Sequence, residues 1–369
     1  MAKTIDEKRT SRLAEDSLPP AARRRRRQVV PIPEAVALPM PQRVSPMLAT
    51  LVDTPFDDPG WIFETKWDGV RALCYLKGQQ TRLITRNDKE VLFRYPELAR
   101  MHESLNAKEA ILDGEIVTFD KHGRSVFQWL QSRIGLVHSA DIEVLAREHP
   151  AVYCVFDLLY CDGFDLRQCP LISRKELLSE VLTPGPHIAL SQHSIGNGTK
   201  RFKEASNKHW EGIIAKLASS PYVERRSPYW TKIKTALRQE VVIAGFTPPR
   251  RSRMFFGALV AGLYDKGILR YVGRVGGGFD HESLEQVYKA LKPLVVGKSP
   301  FVTVPGGIGD VQWVKPRLVC EVRFAEWTAA GLMRQPIFQG LRDDKAPEEC
   351  RYERSSGASN RRRLTNVIV

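Results

Sequence analysis

The sequence predicts an α+β chain in which a mixed domain is followed by a smaller, nearly all-β barrel. Three observations carry this expectation. With 369 residues the chain has room for two cores of ordinary size. From about residue 42 to 238, short β-branched or aromatic stretches bounded by Gly, Asp or Asn alternate with stretches of helical apolar spacing. Beyond 239 the helical spacing nearly vanishes, and strands joined by Gly-rich turns take over.

Residues 1–41 come first. They are polar, then arginine-rich from Arg23 to Arg27, then proline-punctuated in "VVPIPEAVALPMPQ". Such a segment buries too little apolar surface to offset its ordering entropy, so it reads as a basic, disordered extension. The arginine run suits phosphate contacts or an import signal, and equally a solvated tail. Between 42 and 238, "WIFETKWDGVRALCYL", "TRLITR", "AILDGEIVTFD", "AVYCVFDLLYCDG", "EGIIAKLA" and "YWTKIKT" read as strands. "YPELARMHESLN", "SVFQWLQSRIG" and "LISRKELLSEVL" read as helices, with Ser173 and Glu176 spaced as a capping box.

Over 239–345 the strands are "QEVVIAGFTPP", "FGALVAGLYDKGILRYVGRVGGGF", "FVTVP", "VQWVKP" and "LVCEVRFAEWT", with a helix at "HESLEQVYKALKPL". About five strands and one helix suit a small closed barrel of the OB type. Residues 346–369 turn polar again and read as a flexible tail.

Composition narrows the function. Hydrophobic content of 43% and charged content of 27% fit a globular protein. No apolar run approaches the ~20 residues that span a bilayer, and the N-terminus lacks the apolar core of a signal peptide. The expectation is therefore no membrane and no export. Cys74, Cys154, Cys161, Cys169, Cys320 and Cys350 form no CxxC pair, which argues against a zinc site or disulfide frame and for a reducing cytosol. The net charge is +14; the N-terminal 41 residues carry nine basic against five acidic groups and the last 24 carry five against three, which leaves +8 on the body. A basic body is drawn to polyanions, of which nucleic acid is the commonest.

The chemistry begins at "ETKWDGVRAL" (64–73), where Lys66 stands inside an otherwise apolar strand pattern. Apolar surface and neighbouring cations lower a lysine's pKa toward the pH at which the free amine attacks, whereas Glu64 and Asp68 oppose this. Read alone, the stretch is either a nucleophile or a strand end with an Asp-Gly turn. "LDGEIV" offers Asp113 and Glu115, and "EGIIAK" offers Glu211 and Lys216. Glu115 and Glu211 are hard oxygen donors suited to magnesium or manganese. Phe156 in "VFDLLY" suits stacking on a flat base. Lys232 and Lys234 in "WTKIKT" are two apart on a strand and project together, so an anion such as phosphate belongs between them.

In this order the pieces resemble the covalent nucleotidyltransferase superfamily, which comprises ATP-dependent DNA and RNA ligases and capping enzymes. "ETKWDGVR" is similar to its motif I, "TRNDKEV" to Ia, "LDGEIV" to III, "VFDLLY" to IIIa, "EGIIAK" to IV, "YWTKIK" to V, and "RQPIFQGLRDDK" to VI. "CEVRFAEWTAAGLMRQPIFQGLRDDK" and "GFTPPRRSRMFFGALVAGLYDKGILRYVGRVGGGF" resemble the ligase module of bacterial ligase D proteins. The arginine-rich extension departs from that pattern.

The resemblance implies an adenylation domain over 42–238, an OB-fold domain over 239–345, and an ATP-dependent DNA ligase of repair, recombination or end joining. Lys66 would form lysyl-AMP, with Lys232 and Lys234 at the α-phosphate. The backbone around Glu64 would read the adenine amino group, Phe156 would stack on the ring, and Lys216 would join the nucleotide site. Glu115 would hold ribose or lie near the metal, and Glu211 would bind the metal. Arg71 and Arg86 would meet AMP or the 5′-phosphate of the nick, and Arg342 and Lys345 the leaving pyrophosphate. Arg250, Arg251 and Arg253 would grip duplex DNA. The implied partners are nicked or broken duplex DNA and end-joining proteins, for a monomer in a bacterial cytoplasm, associated with the nucleoid. An RNA ligase, a capping-type enzyme and a non-catalytic nucleic-acid-binding module stay open on the sequence alone.

Overall fold

In the computed structural model, residues 32–353 are described, apart from 134, 135, 137, 250–252, 304, 305 and 307. The Arg23 to Arg27 run lies outside them, but residues 32–41, expected within the disordered extension, pack on the body: Val36 and Ala37 pair with Asp165 and Phe164, and Leu38 N–H donates to Gly163 O at 3.0 Å. In chain order the first domain holds β1 (Val36–Ala37), β2 (Leu48–Leu51), β3 (Asp58–Thr65), β4 (Val70–Lys77), β5 (Gln80–Thr85) and β6 (Glu109–Thr118). Next come α1 (Phe127–Gln131), α2 (Ser139–Glu148), β7 (Ala151–Cys161), β8 (Phe164–Asp165) and α3 (Leu171–Val181). The domain ends with β9 (Ile188–Leu190), β10 (His193–Gly196), α4 (Gly198–Asn207), β11 (Gly212–Leu217) and β12 (Arg226–Lys234). The second holds β13 (Leu237–Phe246), β14 (Leu259–Asp265), β15 (Ile268–Val275), α5 (His281–Leu291), β16 (Val295–Val296), β17 (Gln312–Val314), β18 (Val319–Phe324), β19 (Glu326–Trp327), β20 (Met333–Arg334) and β21 (Ile337–Arg342).

Two sheets build the first domain. One runs β1-β8-β7-β6-β4-β5 with β9 beside β7, and the other runs β10-β3-β11-β12-β2. A core containing Leu73, Tyr75, Ile111, Phe156, Tyr222 and Trp230 draws side chains from both and locks them face to face. The apolar outer face of the first sheet is covered by α3 and the 3₁₀ turns at 92–104. "YPELARMHESLN", expected as a helix, is these 3₁₀ turns, because Tyr95 and Pro96 break the run at its start.

The "WIFETKWDGVRALCYL" stretch is two strands with Lys66 to Gly69 as the corner between β3 and β4. Gly69 is required there: a Cβ would stand 2.2 Å from the Ile116 carbonyl oxygen. Gly114, between Asp113 and Glu115, likewise leaves room for the Tyr153 ring, 2.6 Å from where its Cβ would be. The Lys-x-Asp-Gly and Asp-Gly-Glu patterns thus record two places where backbones pass closely.

Helix α3 begins earlier than the capping box predicted. Ser173 lies inside it rather than at its cap, because the first free amides are taken by backbone carbonyls: Leu171 donates to Ser220 and Ile172 to Ala218, both at 2.9 Å. The helix is fastened to β7 by Arg174, whose Nε and Nη2 donate to Asp157 at 2.8 Å each, with both residues fully buried.

In the second domain β13 pairs with β14, β17 and β18, and β18 pairs with β21. A parallel bridge from Gly277 to Ile337 closes the sheet into the expected barrel. Helix α5 carries a true capping box, with Asp280 accepting from the Ser283 amide. Residues 346–353, expected as part of a flexible tail, pack on this barrel instead: Tyr264 N–H donates to Cys350 O at 2.7 Å, and the Tyr352 and Trp327 rings lie 5.2 Å apart. All six cysteines are free and buried. Among the described residues no helix is long and apolar enough to cross a membrane.

Replacing Arg174 with Met leaves Asp157 a buried, unpaired charge. The expected cost is about 3–5 kcal/mol, read as a lower denaturation midpoint. A change under about 1 kcal/mol would show that the pair does not anchor α3.

Candidate functional site

Strands β3 and β11 present the central pair. Lys66 directly follows β3, and its backbone N–H donates to Gly212 O at 3.0 Å. Its ammonium is hydrogen-bonded to Glu211, the residue before β11. Burial opposes the charge on both groups, yet each stabilises its partner more strongly: the Lys66 pKa lies above its ordinary value and that of Glu211 below. Of the opposing influences read from the sequence, a carboxylate prevails, and it is Glu211 rather than Glu64 or Asp68. Glu211, 145 residues further along, is the nearest charge and outweighs the apolar surroundings and Lys234.

A cleft opens beside Lys66, and many of the predicted residues line it. At one end Phe156 and Trp230 meet edge-on with ring centroids 6.0 Å apart. The Lys216 ammonium lies 4.2 Å from the first ring and 4.1 Å from the second. Glu64 enters the same end from β3, its carboxylate 2.8 Å from Lys216 Nζ and 2.5 Å from Lys175 Nζ. Arg71 is bound bidentately to Asp113, at 3.0 and 2.6 Å, and donates to Met47 O at 2.7 Å. Burial opposes its charge and Asp113 outweighs that, so its pKa is raised. Burial also lifts the Glu115 carboxyl to about 8, despite Lys66 and Arg71 nearby.

At the other end the two lysines of β12 project together. An anion does lie between them, and it is the chain's own: Glu353 accepts from Lys232 at 2.5 Å and from Lys234 at 3.0 Å. Burial and the neighbouring Lys234 push Lys232 down to about 8, against Glu353. Burial opposes the charge of Lys234, but Glu353 and Glu240 outweigh it and raise the pKa. Burial likewise opposes Glu353, but the two lysines hold it down to about 2.

The barrel closes over this end. Arg342 pairs with Asp344 at 2.7 Å and lies 3.5 Å from Glu321, and Lys345 lies 3.3 Å from Glu240. Arg86 reaches from the first domain to Glu349 at 2.9 Å. Asn87 donates to Asp344 O at 3.0 Å, Lys89 to Asp343 O at 2.5 Å, and Arg238 to Asp68 at 2.8 Å. Arg253 stays outside the cleft, donating to Gly276 O at 2.6 Å with its guanidinium against Phe256 and Phe279. Arg250 and Arg251 lie outside the described residues.

Four groups at the site escaped sequence reasoning. Trp230 stood beside Lys232 within the quoted "YWTKIK" and was visible as a second aromatic. Lys175, Glu240 and Glu353 carry no local signal, because their partners are remote in sequence.

No cluster of three or more metal-ligating side chains occurs among the described residues. Glu115 and Glu211 nevertheless fit a divalent ion that takes its other ligands from a polyphosphate. Glu115 is a half-buried carboxyl whose pKa is raised by desolvation, and Glu211 is held ionised by Lys66 within the same site.

Residues 46–234 match the ATP dependent DNA ligase domain and residues 252–345 the ATP dependent DNA ligase C terminal region. The multifunctional non-homologous end joining protein LigD of Pseudomonas aeruginosa is 38% identical over 326 residues, which cover 86% of this chain and 38% of that protein. The DNA ligase of Pyrobaculum calidifontis is 32% identical over 321 residues, covering 78% of this chain and 54% of that one. The chain thus spans about two fifths to half the length of these relatives. A mycobacterial DNA ligase D, solved in complex with ATP and MES, superposes with a TM-score of 0.62 at 34% identity, covering 83% of this chain and 97% of that one.

Glu353→Gln removes the carboxylate charge that competes for Lys232 and Lys234. In calorimetric titration the variant should bind tripolyphosphate about tenfold more tightly than the parent chain. Equal or weaker binding would mean that Glu353 does not occupy the anion's place.

Proposed function

Because the chain belongs to the ATP-dependent DNA ligase family, we propose that it seals breaks in duplex DNA by way of a nucleotide carried on Lys66. The observation that carries this reading is the convergence on one cleft of Lys66, an aromatic and polar end, and a cationic end to which the second domain contributes Arg342 and Lys345.

ATP would enter with its base against Phe156 and Trp230. There Glu64 and Lys216 offer an acceptor beside a donor, which matches the 6-amino group and N1 of adenine and opposes the O6 and N1–H of guanine. Glu115 would approach the ribose. The phosphates would lie along Lys232 and Lys234 and displace Glu353, with Arg342 and Lys345 on the leaving pyrophosphate. Lys66 would lose its proton through Glu211, and its Nζ would form a bond to the α-phosphorus as the bond to pyrophosphate breaks. Magnesium or manganese, when bound, would be held by Glu115 and Glu211 and would neutralise charge on the phosphates.

In the second step the AMP would pass to the 5′-phosphate of the break, oriented by Arg71 and Arg86. In the third, the 3′-hydroxyl would displace AMP. Both substitutions are in-line at phosphorus, so the protein mainly positions groups and neutralises charge. For DNA to reach Lys66 the barrel must swing away from the cleft, bringing Arg250, Arg251 and Arg253 to the duplex. Work on broken ends beside end-joining proteins, as a monomer in a bacterial cytoplasm and at the nucleoid, is part of the same proposal.

With ATP and a divalent ion, the chain should seal a nicked DNA duplex, while Lys66→Ala should not. The same variant should still join a nick supplied with a ready-made 5′-adenylate, because the lysine is needed only to load AMP. Parallel reactions with GTP and with a nick in RNA separate a capping-type enzyme and an RNA ligase from this reading. Sealing by Lys66→Ala with ATP at the parental rate would refute it.

A further inference from the structure

Behind the base end of the cleft lies a charge that neither the motif series nor the cleft lining includes. Lys175 sits on α3, outside every motif quoted above, with its side chain 6% exposed. Its ammonium has three donors and three acceptors around it: Glu64 Oε1 at 2.5 Å, Phe156 O at 3.3 Å and Ser191 O at 3.4 Å. One side chain thereby ties α3 to the carboxylate of β3, the backbone of β7 beside the stacking ring, and the loop before β10.

A buried carboxyl without such support takes up a proton and becomes a donor as well as an acceptor. Burial presses Glu64 in that direction, but Lys175 and then Lys216 overcome it and hold the carboxyl ionised, below its usual range. Charged, Glu64 only accepts, and each oxygen has a lone pair left after its lysine is served. Lys216 faces the cleft and is shared with the Phe156 and Trp230 rings. Lys175 stands outside the cleft lining, and its neighbour Arg174 is bolted to Asp157, so its position is rigid.

We infer that Lys175 is a positioning residue for nucleobase selection, which fixes the charge and direction of the Glu64 carboxylate so that the cleft accepts a base presenting an amino donor and rejects one presenting a carbonyl. This rests on the nucleotide reading given above. Lys175 touches no substrate and acts through Glu64 alone. It therefore affects how tightly and how selectively the nucleotide is held, and leaves the attack by Lys66 to proceed once the site is filled.

The test is formation of the enzyme–nucleotide adduct from α-labelled ATP and GTP by the full chain and its Lys175→Met, Lys175→Arg, Glu64→Gln and Lys175→Met/Glu64→Gln variants. Lys175→Met should raise KM for ATP about tenfold and cut the preference for ATP over GTP by a similar factor, with kcat within about twofold. Lys175→Arg, which keeps the charge, should restore much of the preference. The double variant should be no less selective than Glu64→Gln alone, since both substitutions remove one interaction. Should Lys175→Met fail to fold, the comparison of the double variant with Glu64→Gln decides alone. Parental KM and selectivity in Lys175→Met, or losses that multiply in the double variant, would overturn the inference. Absence of any adduct in the parent chain would instead refute the nucleotide reading.

Discussion

The structure depends on neutralising a set of cations that converge in one largely buried cleft. Lys66 can remain at the end of β3 because Glu211 lies against it. Glu64 serves Lys175 and Lys216, Glu353 serves Lys232 and Lys234, and Glu240 serves Lys345. Burying an unpaired ammonium is far more costly than leaving it in water, so these carboxylates are conditions of folding as much as of chemistry. The arrangement also explains why the cleft suits a polyphosphate: the cations are already gathered, and an entering anion replaces a carboxylate rather than assembling a site.

The two domains divide this work. The first supplies the nucleophile, the base end and the paired lysines from strands whose register fixes their direction: Glu64 lies opposite Ile214, and Ile214 opposite Lys232. The barrel supplies Arg342, Lys345 and the segment that carries Glu353. The contacts joining them are mainly ion pairs and polar bonds, such as Arg238 with Asp68 and Asn87 with the Asp344 carbonyl. Polar contacts of this kind exchange readily with water, in contrast to the apolar packing that locks the two sheets of the first domain together.

The fold class and much of the cleft were legible in the sequence because their signals are local. Period-two spacing put Lys232 and Lys234 on one face, whereas the close backbone approaches at Gly69 and Gly114 came only with the fold. What was not legible depended on partners far away along the chain. The direction of the Lys66 pKa was left open because Glu211 is brought beside it only by the pairing of β3 with β11. Lys175 carried no local signal, since Glu64 is 111 residues earlier. Ser173 had a capping pattern, but carbonyls from another part of the chain had already taken the helix's first amides. The packing of residues 346–353 was hidden for the same reason: their polar composition says nothing of the lysines and rings that hold them.

The central claim is covalent transfer of AMP to one amine. The direct measurement is peptide mass spectrometry of the chain after incubation with ATP and magnesium, with and without nicked duplex DNA. The account predicts a single AMP on Nζ of Lys66, discharged when the nicked duplex is added. An AMP on any other side chain, or no adduct at all while sealing proceeds, would contradict it.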